Sequence, residues 1–134
     1  MEWNEELQLG VPTIDAQHRE LFDLCRQFLE AARAGECVSL HAILDRLVER
    51  TRAHFQAEEQ MLDRCHYPGL AAHRAEHDRL LSDARNLQAR WPVLPDDEAR
   101  RAFSVEVANY LRNWLIGHID LNDKPYKPFL RNLA

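Results

Sequence analysis

The chain has 134 residues, 46% hydrophobic and 29% charged, with a formal net charge of −5. That length fits a single domain, residues 1–134, able to bury a real core, and the composition excludes disorder. An acidic balance without a Lys/Arg stripe argues against nucleic acid or an anionic membrane as partner, and no apolar run approaches the roughly 18 residues that span a bilayer. The cysteines Cys25, Cys37 and Cys65 are odd in number and form no CxxC pair, which argues against a disulfide framework. The first dozen residues carry three acids and no basic stretch. No signal peptide is visible there, and the expected location is the cytoplasm.

Residues 1–12 read as an extended N-terminal arm closed by Pro12. A first helix, about 13–34, starts with Thr13 as its cap and buries Ile14, His18, Leu21, Phe22, Cys25, Phe28, Leu29 and Ala32, before Gly35 stops it. A second, about 39–65, is capped by Ser39 and carries Leu40, Leu44, Leu47, Thr51, His54, Glu58, Met61 and Cys65 on one face. Tyr67-Pro68-Gly69 is a turn. A third, about 70–91, presents Leu70, His73, His77, Leu80, Leu81, Ala84, Leu87 and Trp91. Pro92 and Pro95 break the chain, and Asp96 or Asp97 opens a fourth helix, about 97–121, with Phe103, Val107, Tyr110, Leu111, Trp114, Leu115, His118 and Leu121 inward. Prolines 125 and 128 then end that helix, and Phe129 packs back on the bundle. Nothing alternates with a period of two. The fold class is all-α, an antiparallel up-down-up-down four-helix bundle.

Seven histidines in so short a chain are the anomaly. Helical phase turns His18, His54, Glu58, His73, His77 and His118 inward, where uncompensated carboxylates and imidazoles cost several kcal/mol. His41, near a helix start, and His66, in a turn, read as structural. Loop positions set the heights. His18 lies about 18 residues before the first turn and His54 about 17 after it, so antiparallel helices place them level. Glu58 and His77 each lie about ten residues from the second turn. All six therefore form one site, toward the end that bears the chain termini. Asp123 is five residues past His118, about 140° around a regular helix, so it joins the site only if the chain widens into a π-bulge or the helix ends near Leu121–Asn122.

Imidazole and carboxylate without thiolate suit iron or manganese better than a structural zinc. Five histidines with Glu58 and Asp123 are too many donors for one ion. Two octahedral ions offer about twelve positions. Five imidazoles, two bridging carboxylates and one bridging oxide or hydroxide leave about one of these open, on the ion with fewer histidines. One open position in an apolar pocket suits a small diatomic ligand.

The chain resembles a hemerythrin of the bacterial kind along nearly its whole length. The resemblance rests on Trp3-Asn4, Gly10-Val11, Ile14-Asp15-Ala16-Gln17-His18, His54-Phe55-Gln56-Ala57-Glu58-Glu59, Tyr67-Pro68, His73-Arg74-Ala75-Glu76-His77, Trp114-Leu115-Ile116-Gly117-His118-Ile119 and Asp123-Lys124-Pro125-Tyr126, all in order. It implies two non-haem iron ions, oxo- or hydroxo-bridged. His73, His77 and His118 would bind one ion, His18 and His54 the other, with Glu58 and Asp123 bridging. It implies reversible dioxygen binding at the two-histidine iron, for oxygen storage, delivery or sensing, and not an enzyme. A protein partner for delivery or signalling is left unspecified. Leu115 matches a residue lining the ligand pocket, with Phe55 and Trp114 as neighbours; plain core packing is the competing reading for these three. The alternative function is a di-iron oxidase or peroxidase, or an iron-handling protein. His73-Arg74-Ala75-Glu76-His77 also matches the H-x-x-E-H pattern of inverted zinc peptidases, but that leaves His18, His54 and Asp123 unexplained. Ferritin-like oxidases use Glu-x-x-His pairs, and this sequence has none. Cys65 reads as a small, half-buried residue at a helix end.

Overall fold

The structure, a computed structural model, describes residues 5–35 and 37–133, without the side chains of residues 37, 38, 120, 121 and 131–133. Trp3, Asn4 and the inward position of Leu121 lie outside the described residues. Four helices follow one another: α1 (Pro12–Ala34), α2 (Cys37–Arg64), α3 (Leu70–Arg90) and α4 (Asp97–His118). Their short connections make them an antiparallel up-down-up-down bundle, with α1 packed on α2 and α4, and α2 on α3. No strand occurs among the described residues.

The helix ends show where local chemistry differs from the expectation. Thr13 does not cap α1. The helix starts at Pro12, and Val11 holds the cap position without a side-chain bond. Proline's fixed φ already suits a first helical position, so no side-chain cap is needed. Asp15 instead reaches back to the arm and accepts from the Leu9 N–H at 2.8 Å and the Gly10 N–H at 3.1 Å. Gly10 itself sits at φ +88°, a conformation that favours glycine. Ser39 is likewise no cap, because α2 begins at Cys37. Gly35 does close α1, at φ 70°, its N–H bonding to the Ala31 and Ala32 carbonyls. Asp96 caps α4 by accepting from the Ala99 N–H at 2.8 Å.

The arm is not extended throughout, for a 3-10 turn spans Glu5–Leu7. The far end of the chain departs more. The α-helical part of the last helix stops at His118, a π turn covers Ile119–Asp123, and a 3-10 segment runs over Lys124–Leu133 with Pro128 inside it.

Two apolar clusters hold the bundle. The larger joins Leu21, Phe22, Phe28, Leu40, Leu44, Leu47, Phe103, Val107, Leu111 and Leu115 from α1, α2 and α4. The smaller, under the arm and tail, joins Leu9, Ile14, Met61, Leu62, Cys65 and Tyr126, with Tyr67 and Phe129 packed against it. Each fully buried large side chain contributes on the order of 1.5–3 kcal/mol. Cys65 is thus fully buried rather than half-buried. Leu81, Ala84 and Leu87 on α3 are only half-buried, so the second half of that helix sits shallower than its stripe suggests.

Candidate metal centre

Between the two apolar clusters lies a polar one. His18 comes from the first turns of α1, His54 and Glu58 from successive turns of α2, and His73 and His77 from successive turns of α3. His118 is the last residue of α4, and Asp123 the last of the π turn. None of the seven is more than 5% exposed, and Glu58, His77 and Asp123 are fully buried. The π turn brings Asp123 in, resetting its direction by the widening that a regular helix would have denied it.

The two carboxylates occupy the middle. Glu58 Oε1 faces His73 Nε2 at 2.6 Å and His77 Nε2 at 3.1 Å, while its Oε2 faces His54 Nε2 at 3.3 Å and His18 Nε2 at 3.6 Å. Asp123 Oδ1 stands 3.1 Å from both His73 and His118, and its Oδ2 3.2 Å from His18. The donor atoms therefore fall into two groups, each within 4.8 Å: Glu58, His73, His77, His118 and Asp123; and His18, His54, Glu58 and Asp123. Both carboxylates belong to both groups.

The electrostatics are those of a site shaped for cations. Burial works against the charge on Glu58 and Asp123, yet the surrounding imidazoles hold Glu58 well below the usual carboxylate range and Asp123 at about 2. Burial also opposes charge on His18 and His73, but the two carboxylates outweigh it and lift both to about 9. Burial keeps His54 below its ordinary value. The Nε2 atoms of His54, His77 and His118 and both oxygens of Asp123 are buried with no hydrogen-bond partner. Leaving such atoms without a well-formed hydrogen bond is costly, and metal coordination is the chemistry that satisfies them together. Two overlapping groups of nitrogen and oxygen donors, without sulfur, could each hold a metal ion.

Several residues on the outer side were given no role by the sequence. Gln17 Oε1 lies 2.6 Å from His54 Nδ1, Glu59 Oε2 3.0 Å from His77 Nδ1, and the Asn122 amide 3.3 Å from His118 Nδ1. An acceptor on Nδ1, as Gln17 and Glu59 provide, fixes the ring and leaves Nε2 free to face inward, as metal-binding histidines require. The Asn122 amide nitrogen is a donor and supplies no such acceptor to His118. The Tyr126 hydroxyl donates to Glu58 Oε2 at 3.2 Å. Gln17, Glu59 and Asn122 each adjoin a candidate ligand in sequence, but which ring each would meet lies outside any local pattern, and Tyr126 is three residues past Asp123.

Phe55 is buried and stacks flat on His77, with centroids 3.7 Å apart and an interplanar angle of 3°. Trp114 lies 6.4 Å from Phe55 and is half-buried, lining an open cleft with Tyr110, Gly117, His118 and Asn122. Leu115 is buried one turn before His118, in the larger apolar cluster. His41 stacks on Trp91 at the other end of α2, and His66 is exposed in the turn after α2, so neither joins the site.

A family model for the hemerythrin HHE cation binding domain matches residues 9–130. The bacteriohemerythrin of Methylococcus capsulatus is 30% identical over 131 residues, 97% of this chain and 96% of that protein. The bacteriohemerythrin of Stenotrophomonas maltophilia is 27% identical over 124 residues, 92% of this chain and 77% of that protein. Among solved structures, a wild-type hemerythrin crystal structure is similar with a TM-score of 0.80 and 29% identity, covering 97% of each chain. Among the described residues, no helix is long and apolar enough to cross a membrane.

Proposed function

This chain belongs to the hemerythrin family, and we propose that it binds dioxygen reversibly at a non-haem di-iron centre, as an oxygen-binding protein rather than an enzyme. His73, His77 and His118 would hold one ion, His18 and His54 the other, and Glu58 and Asp123 would span the two. One observation carries this reading: each carboxylate directs one oxygen to the three-histidine side and the other to the two-histidine side. When bound, an oxo- or hydroxo-bridged iron pair supplies the reversible uptake of dioxygen.

The residues of the chain supply the rest. The two-histidine side offers one imidazole fewer, which would leave a coordination position for a small ligand there. Gln17 and Glu59 hold the His54 and His77 rings in place, so these two donors are already oriented for ions. Phe55, stacked on His77, would with Leu115 and Trp114 supply the apolar side of the ligand pocket, and such surroundings set both solvent access and redox behaviour at a metal site.

The test is to load the protein with iron, reduce it without air, then admit air while recording the visible spectrum and quantifying iron. The expected result is two irons per chain and a coloured adduct that fades when oxygen is removed. A colourless protein that binds zinc in preference to iron would overturn the reading.

A further inference from the structure

We propose that Tyr126 is a positioning residue of the metal centre, its hydroxyl fixing the Glu58 carboxylate in the orientation that reaches both histidine groups. The inference rests on the reading of Glu58 as a shared ligand. Tyr126 and Glu58 are both fully buried, and the 3.2 Å hydrogen bond from the phenol ends on Oε2, the oxygen that faces His18 and His54.

Glu58 needs such a hold. The last torsion of a glutamate side chain is broad and roughly two-fold, so its own rotamer preference leaves the carboxylate plane weakly set. A donor on one chosen oxygen selects a single plane, with Oε1 toward His73 and His77 and Oε2 toward the other pair. The same bond draws charge from Oε2 alone, which makes the two sides of the carboxylate unequal donors. At 3.2 Å this bond is longer than the roughly 2.5–2.7 Å usual for a hydroxyl on a carboxylate, so its contribution is to orient Glu58.

The fold delivers the hydroxyl to this point. Tyr126 lies in the 3-10 segment Lys124–Leu133, where its ring meets Tyr67 at 6.0 Å and His73 at 5.7 Å, both edge-on. Tyr67 in turn packs on Phe129 at 5.1 Å. An aromatic cluster thus anchors the ring, and the hydroxyl reaches a residue 68 positions away in sequence. Packing alone would be served by phenylalanine. The hydroxyl costs free energy to bury and is retained against a ligand oxygen.

The experiment compares iron-loaded wild-type protein with Tyr126→Phe and Phe129→Leu. Each is mixed with an excess of a coloured iron chelator, iron release is timed, and the visible spectrum of the oxidised form is recorded beforehand. Loss of an outer partner costs roughly 10–100-fold in metal affinity, so Tyr126→Phe is expected to release iron at least tenfold faster, while Phe129→Leu, which loosens the same segment but keeps the hydroxyl, stays within about twofold of wild type. The absorption bands of Tyr126→Phe should also shift, which lost packing would not produce. Equal release from wild type and Tyr126→Phe with unchanged bands would overturn the role of Tyr126. So would Phe129→Leu releasing iron as fast as Tyr126→Phe. Wild-type protein that fails to retain iron would overturn the functional reading itself, and is told apart by the wild-type trace alone.

Discussion

Asp123 Oδ1 stands 3.1 Å from His118 Nε2, although five residues separate them along the chain. On a regular helix that spacing points two side chains about 140° apart. The π turn over Ile119–Asp123 closes the gap. Its position at a site is in keeping with the general rule, since π-bulges cluster where function requires a side chain to be re-aimed. Asp123→Asn preserves shape and removes the charge. It should keep the helical content measured by circular dichroism while holding fewer than two irons per chain by elemental analysis. Full iron content in Asp123→Asn would show that Asp123 is not a ligand.

Glu58 is the other shared carboxylate, and four imidazoles face it. Glu58→Ala should lose both ions, because each donor group loses an oxygen at once. Removing one member of a buried charged pair costs roughly 3–5 kcal/mol, and the loss of bound metal adds to it. Urea denaturation of the protein as purified should show a drop of at least that size. A variant retaining both ions and wild-type stability would refute the bridging assignment.

How much of this could be read in advance varies by residue. The inward stripes were legible because His54, Glu58, His73 and His77 keep the same three- and four-residue spacing as the leucines around them. Asp123 was legible as an acid at the wrong phase that a π-bulge could bring in, and the π turn over Ile119–Asp123 resolves that conflict. The caps assigned to Thr13 and Ser39 failed because both helices start earlier than their patterns suggest, α1 at Pro12 and α2 at Cys37. Pro12 and the Asp15 side chain set the start of α1. The outer partners Gln17, Glu59, Asn122 and Tyr126 were not legible. Their contacts depend on side-chain direction across elements up to 68 residues apart, which no local pattern encodes.

The flat stack of Phe55 on His77 predicts a double effect of truncation there. Phe55→Ala should cost about 3–5 kcal/mol, because a fully buried ring leaves a cavity that the helices fill only in part. Beside the site, that cavity admits water. The oxygen-bound form should then decay faster to the oxidised state, measured as loss of its visible band in air. Destabilisation without faster decay would reduce Phe55 to a packing residue.

Metal-free and metal-loaded protein should respond to pH in opposite directions. In the metal-free chain His18 and His73 are lifted from 6.5 to about 9 by Glu58 and Asp123, against the cost of burial. A raised folded pKa stabilises fully below the unfolded value and loses that contribution as pH climbs through the folded one. Asp123 is lowered from 3.8 to about 2, and Glu58 falls well below 4.5. Their contribution is present above the unfolded values and fades as pH falls through the folded ones. Metal-free protein should therefore weaken from about pH 6.5 toward pH 9 and again below about pH 4.5, while His54, lowered by burial, contributes less as pH falls below about 6.5. With iron bound, protons compete with the ions for the imidazoles, so stability should rise from pH 5 toward neutrality. Urea midpoints of both forms at pH 5.5 and at higher pH measure this directly. A metal-free protein whose midpoint rises between pH 6 and 9 would show that the carboxylates do not hold His18 and His73 charged.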